Sequence, residues 1–214
     1  MPARNPKLES GLPLALALIP IFFLAGCACA ASLRPLASPE TLTAMPQVEG
    51  TWLSKGETDS AQTVTVTRTA EKSYQLSWKE KGVEVIYDLS LVQIDKKLFF
   101  DAALNHVATK EGGETLYDLG VLPIHFIGRI WVDEKSVRLG LLKYEWLEQK
   151  VQQGKVNLPY VEHHTKDEDL ILFTGKAEDV QAFLEQYAED REAFPDTMSF
   201  ERKPAQDGSA AAQH

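Results

Sequence analysis

The sequence predicts a mainly β (α+β) domain, an antiparallel β-barrel or sandwich of about eight short strands with one short and one longer packed helix. Three observations point there. Residues 62–68 and 73–79 both alternate apolar and polar side chains, and only four residues separate them. Residues 124–132 and 137–143 repeat that arrangement around Asp133-Glu134-Lys135-Ser136. Near the C-terminus, by contrast, Val180, Phe183, Leu184 and Tyr187 recur at helical spacing. A period of two marks a half-buried strand, and spacings of three and four mark one buried face of a helix.

Taken in order, structure is expected to begin at Val48-Glu49-Gly50-Thr51-Trp52-Leu53. In the next strand Val64 and Val66 share a face opposite Thr63, Thr65 and Thr67. Ala70-Glu71-Lys72 then turns the chain into a strand with Tyr74, Leu76 and Trp78 inward. Gly82 opens a strand whose apolar face is Val83, Val85, Tyr87, Leu89 and Leu91. Its other face includes Ile86 and Val92, which implies partial cover on that side too. Asp95-Lys96-Lys97 leads into Leu98-Phe99-Phe100.

Between Asp101 and Gly120 the alternation dissolves. Gly112-Gly113 among charges reads as a long exposed loop, with a candidate strand at Leu116 to Leu119. After the second hairpin, Tyr144, Leu147 and Val151 predict the short helix, closed by Gly154. Leu170 to Phe173 reads as a buried strand, and Thr174 as the cap of the longer helix, with Glu178 and Asp179 at its positive end. Pro195 stops that helix, and Thr197 to Arg202 offers a last strand. The expected organisation is a signal segment at 1–26, a flexible tether at 27–47, the globular domain at 48–203 and a disordered tail at 204–214. The tether is rich in Ala, Ser and Pro and would reach roughly 25 Å at 5–6 Å × √n.

The first segment carries a recognisable pattern. Arg4 and Lys7 precede an apolar run from Gly11 to Gly26 that is shorter than a membrane span and contains Pro13 and Pro20. It ends in Leu24-Ala25-Gly26-Cys27. This stretch resembles the signal peptide and lipobox of bacterial lipoproteins. The resemblance implies that Cys27 becomes the first mature residue and carries acyl chains, palmitate among them. Each buried methylene adds about 0.8 kcal/mol, so two or three chains anchor stably. The implied location is the bacterial envelope. Ala28 after the cysteine implies the outer membrane, with the domain facing the periplasm.

Charge narrows the classes of partner. The net charge is −9, and loss of Arg4, Lys7 and Glu9 with residues 1–26 leaves about −10. That balance argues against nucleic acid as a partner. Of the two cysteines, lipidation occupies Cys27, so Cys29 has no intramolecular partner and no disulfide staples the fold.

No catalytic constellation, metal-ligand spacing or cofactor motif is legible. Adjacent His163 and His164, beside Glu162 and ahead of Asp167, Glu168 and Asp169, point to opposite sides of an extended chain and read as a solvated loop. The remaining candidates are ligand-binding. Trp52, Tyr74, Trp78 and Tyr87 supply large inward side chains that either fill a small barrel or line a cavity with polar handles. His125, Arg129 and Trp131 share one face of a strand, and simple hairpin pairing sets Arg138 opposite Trp131. That set makes either a small anion or carboxylate site in a barrel mouth, or an outer face with Arg stacked on Trp. The second is favoured, because Ile124, Phe126, Ile130 and Val132 form the more apolar set.

Gly50-Thr51-Trp52 also resembles the Gly-x-Trp that opens the lipocalins, and the resemblance implies a tryptophan packed across a barrel's closed end. A helix after a late strand is similar in position. The expected function is a lipid-anchored envelope protein that binds a small apolar ligand or an envelope component. The alternative is an interaction subunit without a cavity. A hydrolase, the third, has no motif in its favour. Cavity volume separates the first two readings, and a His–Asp contact inside a cleft would favour the third.

Overall fold

The computed structural model describes residues 29–54, 62–80, 83–109, 112–115, 124–164 and 169–204. Residues 1–28 with the lipobox, Leu116 to Leu119, Asp167, Glu168 and the tail from 205 onward lie outside them. Eight strands form a closed antiparallel barrel: β3 (Gly50–Ser54), β4 (Thr63–Ala70), β5 (Ser73–Glu80), β6 (Val83–Ile94), β7 (Lys97–Thr109), β9 (His125–Val132), β10 (Ser136–Leu141) and β13 (Met198–Arg202). Each pairs with the next in the chain, β7 pairs β9, and β13 returns to β3. A short strand β8 (Gly112–Thr115) extends the ladder of β7. Closure leaves the barrel staves without a free edge.

Alternation puts the expected residues inside. Trp52, Val64, Val66, Tyr74, Leu76, Trp78, Val85, Tyr87 and Leu89 are buried in one cluster with Phe100, Phe126, Ile130, Leu139 and Phe200. The hairpins form where turn residues sit. Asp95 and Lys96, with φ of 42° and 65°, make the two-residue left-handed turn between β6 and β7. One barrel end is closed by a 3₁₀ turn at Pro46–Val48. Trp52 Nε1 donates to the Val48 carbonyl at 2.8 Å, and the Tyr74 hydroxyl accepts from the Met45 N–H at 2.8 Å. The Arg202 guanidinium lies 4.2 Å from the Trp52 ring centroid and donates to the carbonyls of Glu49 and Gln47.

A second layer covers one side of the barrel. Strand β9 forks. Its C-terminal half pairs with β10, while His125 and Phe126 pair with β1 (Cys29–Ser32). Strand β1 continues into parallel β12 (Asp169–Phe173) and then β11 (Tyr160–His164). Helices α1 (Tyr144–Gln152) and α2 (Ala177–Tyr187) enclose a separate apolar cluster. That cluster includes Phe173, Phe183, Leu184 and Trp146 together with outward-facing Val92, Ile94, Phe99 and Ile127 of the barrel. The partial cover expected on the second face of β6 is this layer.

Five expectations are corrected. The segment read as a flexible tether is structural: Ala30 and Ala31 are fully buried, Leu36 is 1% exposed, and β2 (Leu42–Thr43) pairs with β6. Its small residues are what a strand squeezed between β9 and β12 requires, so poor periodicity here reflects tight packing. Strand β7 runs on to Thr109 and Gly112-Gly113 belongs to β8, where a loop was expected. The ladder to β6 carries β7 past Asp101, with a bulge opposite Ile86 and Tyr87. The segment at Glu162 to His164 is the edge strand β11, not a loop. Thr174 does not cap α2. The N-cap is Lys176 without a side-chain bond, and the Thr174 N–H donates to the Pro159 carbonyl. Helix α2 also precedes the strand that closes the barrel, and the strand before it, β12, is not a stave.

Two substitutions test this architecture by urea denaturation. Leu36→Ala should cost about 2–5 kcal/mol, whereas a change in a solvated tether would stay within about 0.5 kcal/mol. Gly128→Ala should cost about 1–3 kcal/mol or more by overpacking. Its Cβ would stand 2.4 Å from the Gly140 carbonyl oxygen and 2.8 Å from the Phe100 ring.

Candidate functional site

The aromatic candidates of the N-terminal strands fill the barrel. Trp52, Trp78 and Tyr87 line an apolar cavity with Phe100, Ile130 and Phe200, and its volume is about 40 Å³. Tyr74 does not line it, because its hydroxyl reaches the backbone of Met45. Trp78 packs edge-on against Phe200 at 5.7 Å, and Tyr87 against Phe126 at 6.4 Å. Burial pushes the Tyr87 phenol well above its ordinary range, so it stays neutral. A space of this size holds a few water-sized probes at about 10–15 Å³ each, whereas small-molecule pockets run to about 300–1,000 Å³.

His125 stands apart from the other members of its predicted set. Its Nδ1 meets the Asp101 carboxylate at 2.6 Å, and the other Asp101 oxygen accepts the Leu36 N–H at 2.7 Å. Asp101 is 3% exposed. Ser32 lies opposite His125 across β1 and β9, and Asp101 reaches His125 from β7, where it pairs with Ile127, so a serine, a histidine and an aspartate stand on three adjacent strands. Ser32 is nevertheless 2% exposed, and its hydroxyl accepts the Arg34 N–H at 3.2 Å. A nucleophile must reach its substrate, and neither the interior cavity nor the outer groove is lined by these three residues. The contact is a structural joint.

Arg129, Trp131 and Arg138 lie together on the outside of the barrel, with Phe126 and Ile130 facing in. The register sets Arg138 opposite Trp131. Both guanidinium groups approach the Trp131 ring, each at 5.3 Å from its centroid. Outward does not mean exposed for Arg129. It is 5% exposed, lies 5.1 Å from the Phe99 ring, and buries Nε and Nη1 without a hydrogen-bond partner. Desolvation lowers its pKa, opposed by the charge of Glu189. Trp131 lies down over β10 because Gly140 offers no side chain. A Cβ there would sit 3.0 Å from the indole and 2.8 Å from the Pro195 carbonyl oxygen.

Trp131 and Arg138 form one wall of a groove of about 520 Å³. The other wall is the connection from α2 to β13, Ala188 to Asp196. Asp190 in it accepts from Trp146 Nε1 at 3.0 Å and from the Glu192 N–H at 2.9 Å, and Asp196 accepts from Arg138 at 2.9 Å. Phe194 packs on Phe99 at 5.9 Å. Sequence reasoning missed this wall. In this stretch the sequence reading assigns a role only to Pro195, as the stop of the preceding helix.

Among the described residues no group of three or more His, Cys, Asp or Glu side chains could hold a metal ion. None of the described helices is long and apolar enough to cross a membrane. Comparison of the chain with known protein families, with characterised proteins and with solved structures finds no match.

Removing the Asp101 carboxylate separates the joint from a catalytic reading. Asp101→Ala leaves the Leu36 N–H and the His125 ring unsatisfied, and should cost at least about 1–3 kcal/mol in urea denaturation. Hydrogen exchange at the Leu36 amide should accelerate strongly in the same variant. An unchanged Leu36 amide would contradict the joint.

Proposed function

We propose that this chain is a lipid-anchored envelope protein acting as an interaction subunit, whose barrel is a filled scaffold and whose outer surface meets its partner. The observation that carries this choice over a small apolar ligand is the interior volume of about 40 Å³. Large side chains occupy the space that a lipid or similar amphiphile would need, and opening it would expose well-packed aromatic rings to water. The lipocalin resemblance at Gly50-Thr51-Trp52 bears on how the barrel end is closed and not on a cargo.

The anchor part of the reading rests on the lipobox at Leu24 to Cys27. Strand β1 begins at Cys29, two residues on. At about 3.3–3.6 Å per residue, an acyl group on Cys27 would hold the folded body within roughly 7 Å of its attachment point. A subunit so placed has little freedom to rise from the membrane, which suits docking on a neighbouring envelope complex.

Two measurements test the parts separately. Wild-type protein should partition into detergent and carry acyl mass, and Cys27→Ser should lose both or accumulate as precursor. Wild-type protein that lacks acyl mass and behaves as freely soluble would end the anchor reading, and sedimentation with the inner membrane would overturn the outer-membrane placement alone. Titration with fatty acids, followed by Trp emission, should be flat. Saturable quenching, weakened in folded Trp78→Ala beyond its core-loss cost of about 3–5 kcal/mol, would return the ligand-binding reading.

A further inference from the structure

The sheet that β1 adds beside the barrel has two unlike faces. Register puts Ala30, Ile171, Phe173 and Tyr160 on one, and these pack in the apolar cluster of α1 and α2. Ala31, Leu170, Leu172, Val161 and His163 fall on the other. Leu33 continues that second face, since its N–H donates to the Phe173 carbonyl at 2.9 Å and keeps the strand's path past Ser32. Exposure rises outward across it. Ala31 is fully buried, Leu170 and Leu172 are half-buried, and Val161 on the edge strand is 53% exposed. Leu33 is 37% exposed. These two are the exposed large apolar side chains among the described residues, and both stand on this one face.

Folding requires an apolar side chain at neither position. An edge strand is ordinarily guarded by charge, and grouped exposed apolar residues mark a surface that meets something. The carboxylates of these strands, Glu162 and Asp169, fall on the helix side with Ile171. In a chain of net charge −9, the second face thus carries no carboxylate among the described residues, and nothing on it repels lipid phosphate. Position decides the occupant. Strand β1 starts at Cys29, two residues after Cys27, so acyl chains on Cys27 would bring this sheet against the membrane before any other part of the fold. Arg34, exposed immediately after Leu33, adds a cation at the rim of the face.

We infer that this face is a second membrane contact, with Leu33 and Val161 resting at the lipid headgroup boundary and Arg34 beside the phosphates. This placement rests on the anchor reading and adds what a lipidated cysteine alone leaves open, the orientation of the domain. Interfacial binding grows with the apolar area buried, so two side chains make a weak contact that orients the protein while the covalent chains hold it. The long stem of Arg34 suits that boundary, since it can lie on apolar surface with its guanidinium among the phosphates. Helices α1 and α2, behind the same sheet, are then turned away from the membrane, where a partner reaches them.

The experiment is methyl NMR of the protein as extracted from its membrane, placed in phosphatidylcholine nanodiscs that contain a gadolinium-chelating lipid. Paramagnetic relaxation at the Leu33 and Val161 methyls should exceed that at half-buried Leu53, on stave β3, several-fold. The double variant Leu33→Asp with Val161→Asp should keep its acyl mass and lose that excess. If the variant fails to fold, the wild-type ratio decides. Equal relaxation at the three residues in an acylated chain would overturn the contact and leave the anchor standing. A chain without acyl mass would end the anchor reading and this inference with it. Filtered nuclear Overhauser effects joining Val161 to a second copy would overturn the lipid contact in favour of a dimer.

Discussion

The carboxylate of Asp101 is the contact on which the two layers of this molecule depend. The barrel buries apolar side chains on its inner face, but β6, β7 and β9 are also apolar outside, at Val92, Ile94, Phe99 and Ile127. Those residues require a cover, and the cover includes chain that is not helix or sheet. A loop laid on an apolar surface leaves its backbone N–H and C=O groups without water. At Leu36 both groups are answered. Asp101 accepts the N–H from the barrel side, and Gln181 of α2 donates to the carbonyl at 2.7 Å. Burying a carboxylate costs several kcal/mol unless its lone pairs are filled, and His125 with the Leu36 N–H fills both oxygens. The same group therefore satisfies the loop and is itself satisfied by it.

This joint also explains which parts of the fold the sequence makes legible. Alternation is readable where one face of a strand is wet, as at Thr63 to Thr67 or Ser73 to Lys79. It disappears where both faces are covered. Asp101 interrupts β7 with a charge that signals exposure by every composition rule, yet it points into the seam between layers. Strand β1 has the opposite problem. Cys29-Ala30-Ala31-Ser32 has too little side chain to show a period, and small side chains are what let it fit between β9 and β12. A segment of Ala and Ser is ambiguous between a floppy linker and a tightly packed strand, because local sequence does not reveal the neighbours that decide it.

The candidate residues divide in the same way. Counting apolar residues at even positions places Ile130 inside and Arg129 outside, and hairpin pairing brings Arg138 to Trp131. Those are local inferences, limited to two adjacent strands. That Arg129 would be buried although it faces outward depends on Phe99, one strand away, and on the connection after α2, sixty residues later in the chain. The alternative of a barrel-mouth site fails for a physical reason, since the mouth would need these side chains on the inner face, where Phe126 and Ile130 already stand.

Two glycines in neighbouring staves connect the filled interior with the outer groove. Gly128 leaves a gap on the inner face, which the Phe100 ring enters. Gly140 leaves one on the outer face, which the Trp131 ring covers beside Pro195. The residues are one step apart in the β9–β10 register, Gly140 opposite Arg129 and Leu141 opposite Gly128. At this point the sheet is thin on both sides, and an aromatic ring is drawn against it from each. The inner ring removes volume that a ligand would need. The outer ring lies flat and leaves the space above β10 open between Arg138 and the α2–β13 connection. A methyl group at either position would push its ring away, loosening the interior in one case and narrowing the groove in the other. The features that fill the barrel thus lie beside those that give its surface a shaped, charged recess.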